Sequence, residues 1–285
     1  PHALATGFEQ DKTGRLTAVV YRDNTDPVHP VTRRQRTRNV FLCAGAIESA
    51  RLLLITGLAN GSGQVGKNYM GHVSPQVWGT FDEPVRMNKG FPATVISEDH
   101  MRPPENPGFV GGYLTQSLGV VPVTWSTAVA RARGLFGKGL TSYLASYNYV
   151  AGIGANGEVL PSENNFLELS DELDENGLPK PLLHFSYGPN ELAMEAHAIK
   201  VMTEAWRAAG ARDIWSMRRT AHQIGTCRMG TDPETSVVDP YGRSHQISNL
   251  WISDNSTFPT ALAANPALTI MALALRSADA FLHQP

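Results

Sequence analysis

A strand–turn–helix pattern at residues 249–283 constrains the fold of this chain more than any other stretch. The apolar residues 250–252 suit a short buried strand, and the Ser-Asp-Asn-Ser run at 253–256 favours a turn. Asn265 and Pro266 follow; asparagine is a good helix N-cap, and proline suits the first helical position. We therefore predict that a helix begins at Asn265 and that the side chain of Asn265 is free to face a ligand.

The residues after Pro266 are spaced as one face of a helix. Apolar side chains recur in steps of three and four, at Leu268, Met271, Leu275, Ala278 and Leu282. The first turn of a helix has free N–H groups and a partial positive charge. This end of the predicted helix would therefore suit a group that becomes anionic.

Composition limits the classes of protein to consider. The chain has 285 residues, 42% of them hydrophobic, which is enough for one large or two ordinary domains. Its net charge of −2 gives no attraction to nucleic acid or to an anionic membrane, and no apolar run is long enough to span a bilayer. The two cysteines, Cys43 and Cys227, lie far apart, which excludes a disulfide framework and a CxxC metal site. His184 and His197 have no acidic or cysteine neighbours at ligand spacing, so we predict no metal site.

The first 60 residues predict part of an α/β domain. Residues 2–22 suit two strands joined by a turn at 12–14, and the polar, arginine-containing residues 24–38 suit an exposed loop. Residues 39–44 predict another strand, Gly45 a tight turn, and residues 46–55 a helix that ends at Gly57. A strand, a glycine turn and a helix form the arrangement that brings backbone close to a cofactor.

The glycines at 61–66 match the dinucleotide pattern G-x-G-x-x-G. No strand leads into this run, which follows a helix, and residues 67–69 start no amphipathic helix. We therefore predict a loop here.

The middle of the chain predicts an antiparallel sheet domain inserted between two parts of the α/β domain, giving an α/β fold that is α+β overall. Apolar runs at 73–81, 142–150, 166–169 and 182–187 suggest its strands, and residues 190–209 predict a helix stopped by Gly210. The predicted division is 1–72, 73–220 and 221–285. The Gly-rich polar segment 221–248 is predicted to be a loop that contributes to a site.

Several motifs, in this order, resemble the glucose–methanol–choline (GMC) flavoprotein oxidoreductases. They are Cys-Ala-Gly-Ala-Ile-Glu-Ser-Ala-Arg-Leu-Leu-Leu at 43–54, Val-Gly-Lys-Asn-Tyr-Met-Gly-His at 65–72, Pro-Ser-Glu-Asn-Asn at 161–165 with Gly-Leu-Pro at 177–179, His-Gln-Ile-Gly-Thr-Cys-Arg-Met-Gly at 222–230, Ser-Val-Val-Asp at 236–239, Asn-Leu at 249–250, Asp-Asn-Ser-Thr-Phe-Pro at 254–259 and Asn-Pro-Ala-Leu-Thr-Ile at 265–270. The resemblance implies FAD as cofactor and a remainder of an FAD-binding Rossmann-like domain with an inserted substrate domain.

The resemblance also implies roles for individual residues. His222 would be the general base that accepts the hydroxyl proton of an alcohol, and Asn265 would hold the substrate oxygen. The start of the last helix, with Pro266 and Thr269, would face the flavin and stabilise negative charge on its reduced ring.

Four further residues are assigned to the cofactor by the same resemblance. Asp254 and Asn255 would meet its ribityl or pyrophosphate part, and Gly45, flanked by Ala44, would let backbone pack against it. Cys227 lies near His222 but has no apparent orienting partner, so we interpret it as a small buried residue and not as a nucleophile.

Within the family, the motifs are most similar to sugar and polyol dehydrogenases and to the gluconate 2-dehydrogenase flavoprotein type. This implies oxidation of a sugar, polyol or sugar acid by a dehydrogenase in preference to an oxidase, with an electron-acceptor subunit or cytochrome as a partner and a periplasmic or secreted location. The family's N-terminal FAD-binding segment, with its Gly-rich turn, has no counterpart in these residues. We expect the chain to need it.

Two other functions are compatible with the sequence. One is a non-catalytic carbohydrate-binding or subunit-docking module without flavin, which the colour of the purified protein would distinguish. The other is a nicotinamide enzyme that uses the glycines at 61–66. Nicotinamide-dependent turnover without flavin would support it.

Overall fold

The computed structural model of the chain describes residues 2–103 and 107–283. Its strands are β1 (Ala3–Gln10), β2 (Leu16–Asp23), β3 (Val31–Arg36), β4 (Val40–Leu42), β5 (Met70–Val73), β6 (Gln76–Thr80), β7 (Ile96–Ser97), β8 (Tyr113–Leu118), β9 (Val150–Gly157), β10 (Phe166–Leu173), β11 (Pro179–His184), β12 (Arg212–Met217), β13 (Thr220–Ile224) and β14 (Leu250–Ile252). Its α-helices are α1 (Gly45–Thr56), α2 (Pro122–Arg133), α3 (Gly137–Leu144), α4 (Pro189–Ala208) and α5 (Ala267–Leu282).

A seven-stranded antiparallel sheet forms the middle of the molecule and confirms the predicted sheet. Strands β12, β6, β9, β5 and β13 lie in that order, β8 pairs with β9, and β7 pairs with β8. Helix α4 packs on this sheet, and its buried Met194, Ala198 and Met202 join one apolar core with Val73 and Val77 of the strands. The sheet runs from residue 70 to residue 224; the division of the chain into three segments stays a prediction.

The predicted strand–glycine–helix arrangement is confirmed. Strand β4 pairs in parallel with β14, and α1 follows β4 directly. Gly45 has a φ of +87°, a left-handed conformation that favours glycine, and α1 ends at Gly57 in the left-handed region as predicted. Because β4 and β14 are parallel, residues that follow both strands lie at the same edge of this pair.

Residues 24–38 were predicted to be a loop, and this is wrong for β3. This strand pairs antiparallel with β2 at the edge of the three-stranded sheet β1–β2–β3. All six of its residues are exposed, so it carries none of the apolar alternation by which strands are predicted.

The apolar run 142–150 was predicted to be a strand, and this is also wrong. Its first residues complete α3, and residues 147–149 form a 3₁₀ turn before β9 begins at Val150. The aromatic residues responsible for the apolar character pack around Trp125 of α2: the ring of Tyr143 lies 5.5 Å from it and that of Tyr147 5.6 Å. Short apolar runs fit a buried helix as well as a strand, and the tertiary packing decides between them.

The glycine run 61–66 forms turns, as predicted, and leads into β5 without an intervening helix. Residues 221–248 are mostly irregular, but the expected loop begins only after β13 ends at Ile224. The extra strand residues matter because β13 carries His222.

Helix α5 starts at Ala267, with Pro266 at the N-cap position and no side-chain cap bond. The prediction of Asn265 as the capping residue is therefore wrong. The apolar stripe at 268, 271, 275, 278 and 282 forms one face, as expected, but this face is exposed. The opposite face packs inward through Leu273 and the buried Ser277. No helix in the described residues is long and apolar enough to cross a membrane.

Candidate functional site

His222 lies in a β-bulge. Strand β13 pairs with β5, and the pairing shifts between Ala221 and Gln223 so that His222 has no partner across the ladder. Its φ is 55°, in the left-handed region, which costs a non-glycine residue about 1–2 kcal/mol. Bulges re-aim side chains, and backbone strain of this kind clusters at functional sites.

The His222 side chain is held at both ring nitrogens. Its Nε2 lies 3.2 Å from Asn265 Nδ2, and its Nδ1 lies 3.1 Å from Nδ1 of His72 on β5. Asn265 Oδ1 accepts a bond of 3.3 Å from Asn156 Nδ2, and Asn156 Oδ1 accepts one of 3.1 Å from Ser74 Oγ. A hydrogen-bonded chain of five side chains therefore runs from His72 on β5 through the bulge, Asn265 and Asn156 on β9 to Ser74, which follows β5.

This chain of bonds fixes the protonation of His222. An amide Nδ2 is only a donor, so His222 Nε2 accepts from Asn265 and carries no proton. The neutral imidazole of His222 then has its proton on Nδ1, which donates to His72 Nδ1. His72 in turn carries its proton on Nε2, a buried atom with no partner among the described residues. The lone pair of His222 that can take up a proton thus lies at Nε2, where it accepts from Asn265.

The site also lowers the basicity of both imidazoles. Burial lowers the pKa of His222, and the charge of Arg219 lowers it further. Burial lowers the pKa of His72 to about 4, with a contribution from His222. Both rings are therefore neutral near pH 7, the form in which His222 can accept a proton.

Two cavities meet at His222 and Asn265. The helix-side cavity, of about 570 Å³, is lined by Thr220, Ala221, His222, Gln223, Asn255, Asn265, Pro266, Ala267 and Ile270. The sheet-side cavity, of about 200 Å³, is lined by Ser74, Gln76, Gln116, Leu118, Gly154, Ala155, Asn156, Arg219, Ala221, His222 and Asn265. Ala221, His222 and Asn265 line both, so one base is accessible from two compartments.

The structure brings four of the predicted site residues together and leaves the others apart. His222, Asn265, Pro266 and Asn255 line the helix-side cavity. Thr269 lies in the first turn of α5 but lines neither cavity. The assignment of catalytic and cofactor roles to these residues stays a prediction.

Asp254, Gly45 and Ala44 form a second cluster, at the edge where β4 and β14 end. Asp254 Oδ2 accepts from the Gly45 N–H at 2.9 Å and from Ser49 Oγ at 2.6 Å, while Oδ1 accepts from the Ser256 N–H at 2.8 Å. Ala44 donates its N–H to Ser49 Oγ. Asn255 connects the cluster to the cavity, because its Nδ2 donates to the carbonyl of Gln223. The carboxylate of Asp254 therefore joins the start of α1 to the loop after β14 by hydrogen bonds.

The helix-side cavity fits the ring end of a flavin. The first turn of α5 opens on it, and the N–H groups there have no intrahelical partners. His222 and Asn265 also line the sheet-side cavity, where a second reactant can lie. Within the described residues no group of three or more His, Cys, Asp or Glu side chains is arranged to hold a metal ion.

Sequence reasoning did not identify His72, Asn156 or Arg219 as site residues. They lie on different strands of the sheet or at the start of one, and only the pairing of the strands brings them to His222. His72 is the last residue of the family motif at 65–72, and that position was the one sequence signal that could have identified it as a site residue.

Comparison with known proteins agrees with this geometry. Residues 161–274 match the family model described as GMC oxidoreductase. The chain is 31% identical to paromamine 6'-oxidase of Streptomyces fradiae, over 97% of the chain and 50% of that protein. The chain belongs to the GMC oxidoreductase family. It corresponds to the C-terminal part of these FAD-dependent flavoproteins.

Two further proteins show how much of a GMC oxidoreductase this chain covers and which fold it shares. The fructose dehydrogenase large subunit of Gluconobacter japonicus is 30% identical over 99% of the chain and 53% of that protein. A solved structure of Aspergillus oryzae formate oxidase superposes with a TM-score of 0.72 at 15% identity, covering 99% of this chain and 60% of the other, which shows a shared fold. The chain thus spans about half the length of the curated relatives it matches, and these include an oxidase and a dehydrogenase.

Proposed function

We propose that this chain is the catalytic part of an FAD-dependent oxidoreductase that oxidises an alcohol group of a sugar, polyol or sugar acid by hydride transfer to flavin. The observation that carries the proposal is the position of His222 Nε2, 3.2 Å from Asn265 Nδ2 and between two cavities. FAD, when bound, supplies the hydride acceptor.

His222 would act as the general base. A substrate hydroxyl in the sheet-side cavity would donate to His222 Nε2, replacing the bond from Asn265 Nδ2. The amide of Asn265 is then free to donate to the same substrate oxygen and stabilise the charge that develops on it. His222 and Asn265 would therefore both bind the substrate hydroxyl oxygen. This arrangement would orient the carbinol carbon toward the helix-side cavity.

The start of α5 would hold the flavin ring, and its N–H groups would stabilise negative charge there. Pro266, Thr269 and Asn255 belong to this surface in the proposal, and Ala44, Gly45 and Asp254 to the part that meets the rest of the cofactor. An FAD-binding segment outside these residues would hold the pyrophosphate, since the glycines at 61–66 open no helix.

We favour a dehydrogenase over an oxidase, with an electron-acceptor subunit or cytochrome as partner. Support comes from the dehydrogenase relative, whose name describes it as a large subunit. The motif resemblance to sugar dehydrogenases points the same way. Flavin reoxidation rates with oxygen and with a quinone or a cytochrome would decide between the two.

Stopped-flow flavin reduction by a panel of sugars and polyols tests the proposal in the FAD-containing enzyme. His222→Ala should slow reduction by about 10²- to 10⁴-fold, the range for a positioned base. His184→Ala is the matched control, because His184 lies on β11 at the exposed hairpin and pairs with Glu168. Unchanged reduction in His222→Ala would refute the assignment of the base. A colourless purified protein, with the FAD-binding segment present, would instead favour a carbohydrate-binding or docking module.

A further inference from the structure

A third and larger cavity continues outward from the site. This groove, of about 810 Å³, lies between α2 and the sheet and shares Gln76 and Arg219 with the sheet-side cavity. Gln76 and Trp78 are two residues apart on β6, so both side chains face the same side of the sheet. The sheet-side cavity and the groove therefore form one trough with His222 at its inner end.

The trough is positively charged. Three arginines line the groove, at Arg131, Arg218 and Arg219, and no acidic side chain lines the groove or the sheet-side cavity. Arg218 pairs with the buried Glu195 at 2.9 Å. In the described part of the chain neither Arg131 nor Arg219 has a carboxylate within 4 Å. A chain of net charge −2 thus concentrates two uncompensated cations at this one place.

Resting on the proposed function, we propose that the trough selects a polyhydroxy carboxylic acid. Arg219, with Arg131 farther out, binds the carboxylate while a hydroxyl-bearing carbon at the other end lies at His222. A guanidinium presents paired donors that match a carboxylate. His222 lines the sheet-side cavity, Arg131 lines the groove and Arg219 lines both, so a chain-like substrate that extends from the base into the groove passes Arg219.

The charge on Arg219 also links recognition to the reaction. It lowers the pKa of His222 together with burial. A carboxylate bound to Arg219 offsets that charge, which makes His222 a stronger base when the acid is bound. A neutral sugar of the same length does not offset the charge of Arg219, so it does not make His222 a stronger base.

The test compares D-gluconate with D-glucitol and D-glucose in the FAD-containing enzyme. For flavin reduction, kcat/KM should be about 10- to 100-fold higher for gluconate than for the two neutral substrates, and Arg219→Gln should reduce this ratio by a similar factor. Arg131→Gln should give a smaller loss. Arg36→Gln removes one positive charge from the exposed strand β3, away from the groove, and should change nothing.

A binding measurement separates this inference from the proposed function. Calorimetric titration of the oxidised enzyme with gluconate should show binding that Arg219→Gln weakens and salt screens, whether or not the flavin is reduced. Reduction by glucitol as fast as by gluconate, or absence of gluconate binding, overturns the inference and leaves alcohol oxidation standing. Gluconate binding without flavin reduction by any alcohol would support the inference while contradicting the proposed reaction.

Discussion

His72 and His222 face each other through their Nδ1 atoms, 3.1 Å apart, so a single proton is shared between these two nitrogens. The Asn265 amide assigns that proton to His222, because it donates to the other nitrogen of the same ring. His72 is therefore the acceptor that keeps His222 in the tautomer with a free Nε2. Full burial and a pKa of about 4 keep His72 neutral and able to accept.

Removing the acceptor at His72 should slow the reaction through His222. His72→Leu leaves His222 Nδ1 without a partner, and we expect flavin reduction to fall by about 10- to 100-fold, as for other residues that orient a functional group. His72→Asn is the matched variant, since its Oδ1 can take the position of Nδ1 and accept the same bond. Equal losses in the two variants would contradict the tautomer role.

The same histidine should make folding sensitive to acid. Its folded pKa of about 4 lies below the ordinary value of 6.5, so the unfolded chain takes up the proton first as pH falls. The free energy of unfolding is then unaffected above pH 6.5 and drops by about 3 kcal/mol between pH 6.5 and 4. Urea unfolding at pH 7.5 and 4.5 should show a smaller drop in His72→Asn than in the wild type. The difference isolates His72 from the other groups that titrate.

The sequence was sufficient for those parts of the site that follow one another along the chain. The loop after β14, the start of α5 and the glycine turn at Gly45 carry local signals, namely turn residues, a proline and a left-handed glycine. His222 and Asn265 were paired by the order of family motifs. The sequence alone could not show that they lie 3.2 Å apart.

The remaining parts depend on pairing between distant strands. His72 meets His222 because β5 pairs with β13, and a bulge decides which way His222 points. Register and bulges have no local sequence signature, and the polar strand β3 shows that even a strand can lack one. The trough needs Arg131 from α2 beside Arg219, which only the packing of α2 on the sheet provides.

Replacing Asn265 by aspartate should harm the reaction more than the fold. Asn265 does not cap α5, so the helix loses no cap bond. The carboxylate cannot donate to His222 Nε2; it favours the protonated imidazole and adds negative charge at the flavin end of the helix. We expect Asn265→Asp to move the acid limb of kcat/KM to higher pH and to lower the flavin reduction potential, with little change in melting temperature. An unchanged potential would show that this helix end does not face the flavin.

Removing the charge of Arg219 should shift the pH profile in a defined direction. Burial lowers the pKa of His222, and the charge of Arg219 lowers it further. In Arg219→Gln only burial remains, so the pKa of His222 rises and the acid limb of kcat/KM moves to higher pH. The profile should be measured with a neutral substrate, because a carboxylate would itself offset Arg219. A limb that stays in place would mean that another group controls the profile.

Gly63 and Gly225 should respond differently to alanine. Gly63, in the glycine run, has a φ of +68° with open space around it, so Gly63→Ala should cost about 1–2 kcal/mol of stability and leave activity unchanged. Gly225 follows β13 with a φ of +83°, and a Cβ there would lie 2.2 Å from the Asn68 carbonyl oxygen. Gly225→Ala must displace backbone three residues from His222. We expect it to lose both stability and flavin reduction, measured by urea unfolding and stopped flow.

The exposed stripe of α5 should make the isolated chain associate. Leu268 and Leu275 are 75% and 73% exposed, with Met271 between them, and such a continuous apolar face marks a surface that another segment covers. We expect residues 1–285 expressed alone to be poorly soluble or free of flavin, and addition of the FAD-binding segment to restore both.

Light scattering of a double variant, Leu268→Gln with Leu275→Gln, tests whether the stripe is responsible. It should increase the monomer fraction of the isolated chain but weaken its pairing with the FAD-binding segment, because the same face is needed for both. Val28→Gln is the control, since Val28 is 76% exposed in the loop before β3, away from the stripe. Stoichiometric FAD binding with fluorescence quenching by the isolated wild-type chain would show instead that this face needs no covering segment to hold the cofactor.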